Sequence, residues 1–231
     1  MPRPLIISVE GNIGAGKTTI IDKLEKEMLE NKEIVFLREP VDIWEKIKDK
    51  ETGENILVKF YGDVPKYAFT FQVMAYASRL HIIRNAIKEH SNCKMIICER
   101  SLEADKNIFA SMLHNDGGIE DIQYQVYEQF YSEYMDNLHL DGVVYIDAEA
   151  SKCYERVKKR SRNGETTITE EYLQKCKEYH DNWLNNTDLE KLQIDANEDV
   201  SYENDKGNEW LNTIKEHINE MILQHDKKKT D

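Results

Sequence analysis

The eight residues Gly11-Asn12-Ile13-Gly14-Ala15-Gly16-Lys17-Thr18 constrain the fold of this chain more than any other stretch. They match G-x-x-x-x-G-K-[ST]. An apolar run over residues 5–9 precedes them, and an amphipathic segment over residues 18–31 follows, with Ile20, Ile21, Leu24, Met28 and Leu29 on one face. A buried strand, a Gly-rich turn and a helix in that order make a phosphate cradle. The glycines let successive N–H groups curl inward, and the helix N-terminus adds its positive dipole. Lys17 is placed to neutralise β- and γ-phosphates, and the Thr18 hydroxyl to ligate Mg²⁺. The stretch, carried on to Thr19, predicts a nucleoside triphosphate site and leaves the reaction open.

Short apolar runs alternate with longer helical patterns along the rest of the chain, which predicts βαβ units and a parallel sheet. Strands are expected over residues 5–9, 34–37, 94–98, 142–146 and 192–194, and helices over 18–31, 66–89, 123–137, 149–159, 169–185 and 209–223. Residues 49–65, with two glycines, read as an irregular insertion. Residues 201–208 read as a polar surface loop and 225–231 as a frayed tail. With no repeat and no Pro- or Ser-rich linker, residues 1–231 read as one domain. The expected architecture is α/β, a three-layer α/β/α fold of P-loop NTPase type with five parallel strands.

Composition narrows the partners. With 40% hydrophobic and 32% charged residues the chain is ordinary for a soluble globular protein. No apolar run approaches the roughly 18 to 20 residues of a membrane span, so no membrane partner is expected. Only Met-Pro-Arg-Pro precedes the first apolar run, which makes cytoplasmic residence the expectation. A net charge of −13 argues against nucleic acid as a partner, because coating a polyphosphate calls for a basic surface. Cys93, Cys98, Cys153 and Cys176 show no metal-ligand spacing and read as free thiols.

Four further stretches bear on the chemistry. "FLREPVDIW" puts Arg38, Glu39, Pro40 and Trp44 just after the second strand, where open parallel sheets bind ligands. Glu39 is thereby placed to take a proton from a substrate hydroxyl as general base. "MIICERS" ends the third strand in Glu99, a carboxylate able to hold Mg²⁺ directly or through water, and Arg100, able to clamp phosphate or orient Glu39. In "YERVKKRSRNGET", Arg156 and Arg160 share a helix face and Arg162 lies just beyond. This is either a solvated basic face or a lid over phosphate charge, over about residues 156–168. In "YAFTFQVMAYASRL", Gln72 and Arg79 share a face. Periodicity alone favours exposed polar residues there, over a slot that pairs with a base edge. GTPase switches carry D-x-x-G and N-K-x-D; neither occurs, and a small kinase is favoured.

Together these stretches resemble the deoxyribonucleoside kinase family, the group with deoxycytidine, deoxyguanosine and insect multisubstrate kinases. "GNIGAGKTT" is similar to its phosphate loop, "EPVDIW" to its Glu-Pro-x-x-x-Trp stretch and "YGDVPKYAFTFQ" to its Tyr…Phe-Gln segment. "CERS" resembles its Glu-Arg-Ser motif, "RVKKRSRNGE" its arginine lid and "IDANEDV" its adenine-side loop. The resemblance implies ATP and Mg²⁺ as donor and metal, with Glu99 near the metal. It implies Glu39 as the base on the 5′-hydroxyl assisted by Arg100, with Lys17, Arg156, Arg160 and Arg162 on donor phosphates. Tyr61 and Glu165 would hold the sugar 3′-hydroxyl, Gln72 the base, and Trp44 and Phe71 its pocket. Residues 197–200, including Asp199 and Val200, would pack near adenine.

A homodimer is also implied. Arg79 and Asp105 stand where deoxycytidine and deoxyguanosine kinases carry an Arg–Asp pair, which predicts deoxycytidine or purine deoxynucleosides over thymidine. Gly164 and Thr169 depart from the family's usual acidic residue and proline at the lid. Two rival readings are a thymidylate-kinase-like monophosphate kinase and a nucleotide-binding regulatory module without transfer activity. The first would need extra cations for the acceptor phosphate; the second would need neither Glu39 nor the arginines.

Overall fold

Strand β1 (Leu5–Gly11) is buried along its whole length, as a strand covered by helices on both faces must be. The computed structural model describes residues 3–135, 138–162, 164–203 and 205–228. In it β1 is the middle strand of five, all parallel. The spatial order is β2 (Ile34–Leu37), β3 (Met95–Glu99), β1, β4 (Gly142–Asp147), β5 (Glu190–Asp195). Each expected strand is present, and β5 is twice the expected three residues.

Period-two alternation sends the side chains of β1 into two separate cores. Leu5, Ile7 and Val9 pack with Ile20, Ile21 and Leu24 of α1 (Lys17–Glu27). Leu211, Ile214 and Ile218 of α10 (Asp205–Lys228) join the same core. On the other face Ile6, Ile96, Cys98, Val143 and Tyr145 pack beneath Tyr76, Leu80 and Ile83 of α4 (Val64–Glu89) and Tyr127 of α7 (Asp121–Tyr134). These are the three layers expected. Cys98, Cys153 and Cys176 are buried free thiols and Cys93 is half-buried.

Residues 49–65 are more regular than expected. Helix α2 (Val41–Lys46) follows β2, and α3 (Ile56–Gly62) fills the centre of the presumed insertion. Asn55 caps α3 by accepting from Val58 N, and Asp63 caps α4 by accepting from Lys66 N, with Pro65 in the first turn. Both caps are legible in the sequence once the glycines are set aside. After β3 an unbroken helical run, unassigned from sequence, passes through α5 (Leu102–Ala104), a π-helical turn (Asp105–Ala110) and α6 (Ser111–Asn115). Helix α1 ends four residues before the expected Asn31.

Helix α10 starts at Asp205, inside the expected loop, because Gly207 lets its first turn close against the Ser201 carbonyl; a Cβ there would lie 2.4 Å from it. The expected frayed tail is helical to Lys228, and its last three residues lie outside the described ones. Two further helices complete the fold: α8 (Ala150–Arg160) and α9 (Glu170–Asn185). Thr169, where proline was the family expectation, caps α9 with its hydroxyl accepting from Tyr172 N.

Candidate active site

The carboxyl ends of β1, β2 and β3 open into one cleft of about 640 Å³. Its floor is the β1–α1 loop. Gly14 and Gly16 take φ of +88° and +105°, a left-handed region costly for any residue with a Cβ. A Cβ on Gly14 would also meet the Cys153 carbonyl at 2.6 Å. Gly16 is the N-cap of α1 and has no side chain to cap it, so the first-turn N–H groups of α1 are left for a ligand. Residues 13–19 line the cleft, whereas Gly11 and Asn12 are set back from it. Their carbonyls accept from Lys17 Nζ at 3.1 and 2.9 Å, and the Asn12 amide donates to the Leu173 carbonyl of α9. Burial, with the Arg100 charge behind it, pushes the Lys17 ammonium down to about 8.

Above the floor stands a buried charge network. Thr18 Oγ1 donates to Glu99 Oε1 at 2.5 Å, so a hydroxyl and a carboxylate meet at the mouth of the loop. Arg79 is 1% exposed and Gln72 2%, which corrects the expectation of an exposed polar face on α4. That helix is covered on both sides, by the sheet and by α3 with the π turn, so its polar residues have no solvent to face. Arg79 donates to both oxygens of Asp105 (2.9 and 3.2 Å), to the Glu99 carbonyl (2.9 Å) and to Glu39 Oε1 (3.2 Å).

Arg100 Nε lies 3.4 Å from the same Glu39 oxygen, and its guanidinium sits 4.7 Å over the Phe109 ring. Burial pushes the Glu39 carboxyl up, but Arg100, Arg79 and Lys17 more than reverse this and hold it below the usual carboxylate range. Glu39 is therefore ionised at neutral pH. Arg100 itself is held at φ +63°, a left-handed backbone that costs a non-glycine residue about 1–2 kcal/mol.

The opposite wall is aromatic. Trp44 meets Phe71 edge-on at 5.4 Å, Phe71 stacks on Phe60 at 4.5 Å, and Tyr61 meets Tyr172 edge-on. The Trp44 indole N–H donates to Ser78 Oγ, which fixes the ring. Gln72 Oε1 is buried and finds no partner among the described residues, although Gln72 lines the cleft. A flat apolar slot with one unspent acceptor suits a planar, hydrogen-bonding ligand.

At the outer rim Arg160 and Arg162 line the cleft but turn to Glu165, at 2.6 and 3.4 Å. Arg156 pairs with Asp199 at 2.8 Å, beside Glu198 and Val200. Asn197 accepts instead from Glu149 N. The three guanidinium groups thus stand around the opening, each held by a carboxylate.

Glu39, Trp44, Tyr61, Phe71, Gln72, Arg79, Glu99, Arg100, Asp105 and Glu165 all line this one cleft, whereas Arg38 turns away from it to Asp22 and Glu25 of α1. Sequence reading missed Leu57, Phe60, Phe109, Lys159 and Tyr172. Phe60 and Tyr172 each lie beside or on the face of a residue that was found, and that spacing is the signal that could have exposed them. Phe109 had no such signal, because it sits in the π turn, where helical periodicity fails.

A sequence model described as "Deoxynucleoside kinase" matches residues 7–219. The chain is 31% identical to a probable deoxycytidine kinase of fowlpox virus (strain NVSL), over 94% of this chain and 89% of that protein. It is 32% identical to deoxycytidine kinase 1 of Xenopus laevis, over 93% and 91%. It is 28% identical to the mitochondrial deoxyguanosine kinase of the same frog, over 90% and 88%.

Proposed function

This chain belongs to the deoxynucleoside kinase family, an ATP-dependent phosphotransferase family, and we propose that it phosphorylates the 5′-hydroxyl of deoxycytidine or purine deoxynucleosides in preference to thymidine. The observation that carries this reading is the meeting of Lys17, Glu39, Arg79 and Arg100 in one cleft with an aromatic slot and the unspent Gln72 acceptor. Glu39 is ionised and takes the 5′-hydroxyl proton as that oxygen bonds to the γ-phosphorus. The bond from the γ-phosphorus to the β–γ bridging oxygen breaks, and ADP leaves. Arg100 keeps Glu39 oriented, and Lys17 with the loop N–H groups offsets charge on the donor phosphates.

Mg²⁺ would be held by the Thr18 hydroxyl and the Glu99 carboxylate, two oxygen donors already side by side, and would supply charge neutralisation between the phosphates. Arg160 and Arg162 exchange Glu165 for phosphate when the donor is bound, freeing Glu165 to join Tyr61 at the sugar 3′-hydroxyl. Arg156 joins Arg160 and Arg162 on the donor phosphates, and Asp199 and Val200 lie toward the adenine. Gln72 pairs with the acceptor base, and the Arg79–Asp105 pair occupies the space a thymine methyl group would need.

Labelled ATP with Mg²⁺ and a panel of nucleosides and nucleotides tests the whole reading. Labelled monophosphates of deoxycytidine or deoxyadenosine or deoxyguanosine are expected. Labelled diphosphates made from monophosphates, or bound ATP with no transfer, would overturn it.

The family's homodimer is part of the proposal. What supports it is a line of exposed apolar side chains on α7, Ile122, Val126, Phe130 and Tyr134, each four residues from the next and 74%, 40%, 46% and 38% exposed. Light scattering should give twice the 27.2 kDa chain mass for the wild type and one chain mass for Phe130→Glu. A wild-type protein at one chain mass would sink the dimer. Among the described residues no helix is long and apolar enough to cross a membrane.

A further inference from the structure

Glu10 is a carboxylic acid near the carboxyl end of the central strand, fully buried, and the chemistry above gives it no task. It lies on the face of β1 turned toward α4 and the π turn, one residue before the phosphate loop. Its Oε1 accepts from Ser101 Oγ at 2.7 Å, and its Oε2 finds no partner among the described residues. Ser101 uses the same hydroxyl twice, since Oγ also accepts from Ala104 N and so caps the helical run that carries Asp105 and Phe109. Between Ser101 and the metal-side Glu99 stands Arg100 in its left-handed conformation, tethered by one backbone bond from its N–H to the Val9 carbonyl.

A backbone held in an unfavourable region persists only where its surroundings over-determine it. Here the restraint has two sides. The Val9 carbonyl holds the residue itself, and Glu10, the next residue of β1, holds the one after it. Both come from adjacent positions of the central, fully buried strand of the sheet. We propose that Glu10 is a positioning residue for phosphoryl transfer: through Ser101 it fixes the turn at Arg100, and through that turn the Arg100 guanidinium against Glu39.

The surrounding charges agree with this placement. Lys17, Arg79 and Arg100 face Glu39, Glu99 and Asp105 in the cluster, three cations to three anions without Glu10. Burial pushes the Glu10 carboxyl up, against the pull of Arg100, the Ser101 and Ser8 hydroxyls and Arg79. What Glu10 contributes to the turn is the hydrogen bond it accepts from Ser101. An amide oxygen at the same place would serve.

This inference rests on the kinase reading, and the test separates the two. Glu10→Ala and Ser101→Ala should each lower kcat for deoxycytidine by about 10- to 100-fold, the loss expected when a catalytic group is held about 1 Å out of place. KM for ATP should move less than about threefold, because the donor loop is untouched. Glu10→Gln should recover most of kcat. In an Arg100→Ala background, Glu10→Ala should change kcat by less than about twofold, because the two act as one unit.

Independent losses that multiply in that background would show a merely structural role and overturn the proposal, as would full kcat in Ser101→Ala. If Glu10→Ala does not fold, Ser101→Ala and Glu10→Gln decide, with melting curves run alongside. If the wild type transfers no phosphoryl group to any nucleoside, the kinase reading falls. The inference is then judged by the Arg100 Nε–H NMR cross-peak, assigned through Arg100→Lys. That peak should keep its position in Glu10→Gln and shift or broaden in Ser101→Ala; an unmoved peak in Ser101→Ala overturns it.

Discussion

Glu39→Gln lowers kcat by about 10²- to 10⁴-fold, the range that follows loss of a positioned general base. The substitution keeps the size of the side chain and its contact with Arg79 and Arg100, so the shape of the cleft survives. What is lost is the ability to take a proton. Three cations hold the Glu39 carboxylate below its usual range, so the wild-type residue is ionised at neutral pH. The same cations make it a weak base in isolation. Its effect depends on the hydroxyl becoming acidic only as the bond to phosphorus forms, which is why the loss falls on kcat and not on KM. Steady-state kinetics with ATP and deoxycytidine checks this. A kcat within about twofold of wild type would remove Glu39 from the role.

The second large effect is on stability and specificity together. Arg79 and Asp105 are 1% and 2% exposed and bind each other through two hydrogen bonds. Asp105→Ala leaves a buried guanidinium short of its main partner, which should cost about 3–5 kcal/mol in chemical denaturation. Replacing both partners, as Arg79→Met with Asp105→Ala, removes the stranded charge and should cost less than the single change. The double variant also opens the space beside Gln72 and should raise kcat/KM for thymidine by about 10- to 200-fold, the worth of admitting one methyl-sized group to a pocket. A double variant less stable than Asp105→Ala would deny the pair its buried-charge character. No gain with thymidine would sink the specificity reading.

How much of this was legible beforehand depends on the kind of signal. The inner strands were, because a parallel sheet buried on both faces writes itself as unbroken apolar runs such as Met95 to Cys98. The residues at strand carboxyl ends were legible for the same reason: Glu39 and Glu99 are charges abruptly following apolar runs. Gln72 and Arg79 were not, since a helix covered on two sides has no polar face, and periodicity assigns its polar residues to a solvent they never meet. The π turn escaped because an extra residue per turn erases the 3.6-residue pattern that reveals a helix. Helices α2 and α3 escaped because they are short, one to two turns, and depend on caps and packing more than on a periodic stripe. The rim arginines were found, but their pairing with Glu165 and Asp199 is a matter of where the chain returns, which no local pattern encodes.

The Arg79 guanidinium has a consequence for how the chain acquires activity at all. Its hydrogen bonds reach residues 40, 20 and 26 positions away in sequence: Glu39, Glu99 and Asp105. Strand β2, strand β3, helix α4 and the π turn must therefore all be docked before the full set of those bonds is made, and the guanidinium is too costly to bury with only some of them. A half-assembled sheet with its helices formed would show native-like secondary structure and no acceptor pocket. Competence to select a nucleoside arrives in one step, late, with the final packing of the interior.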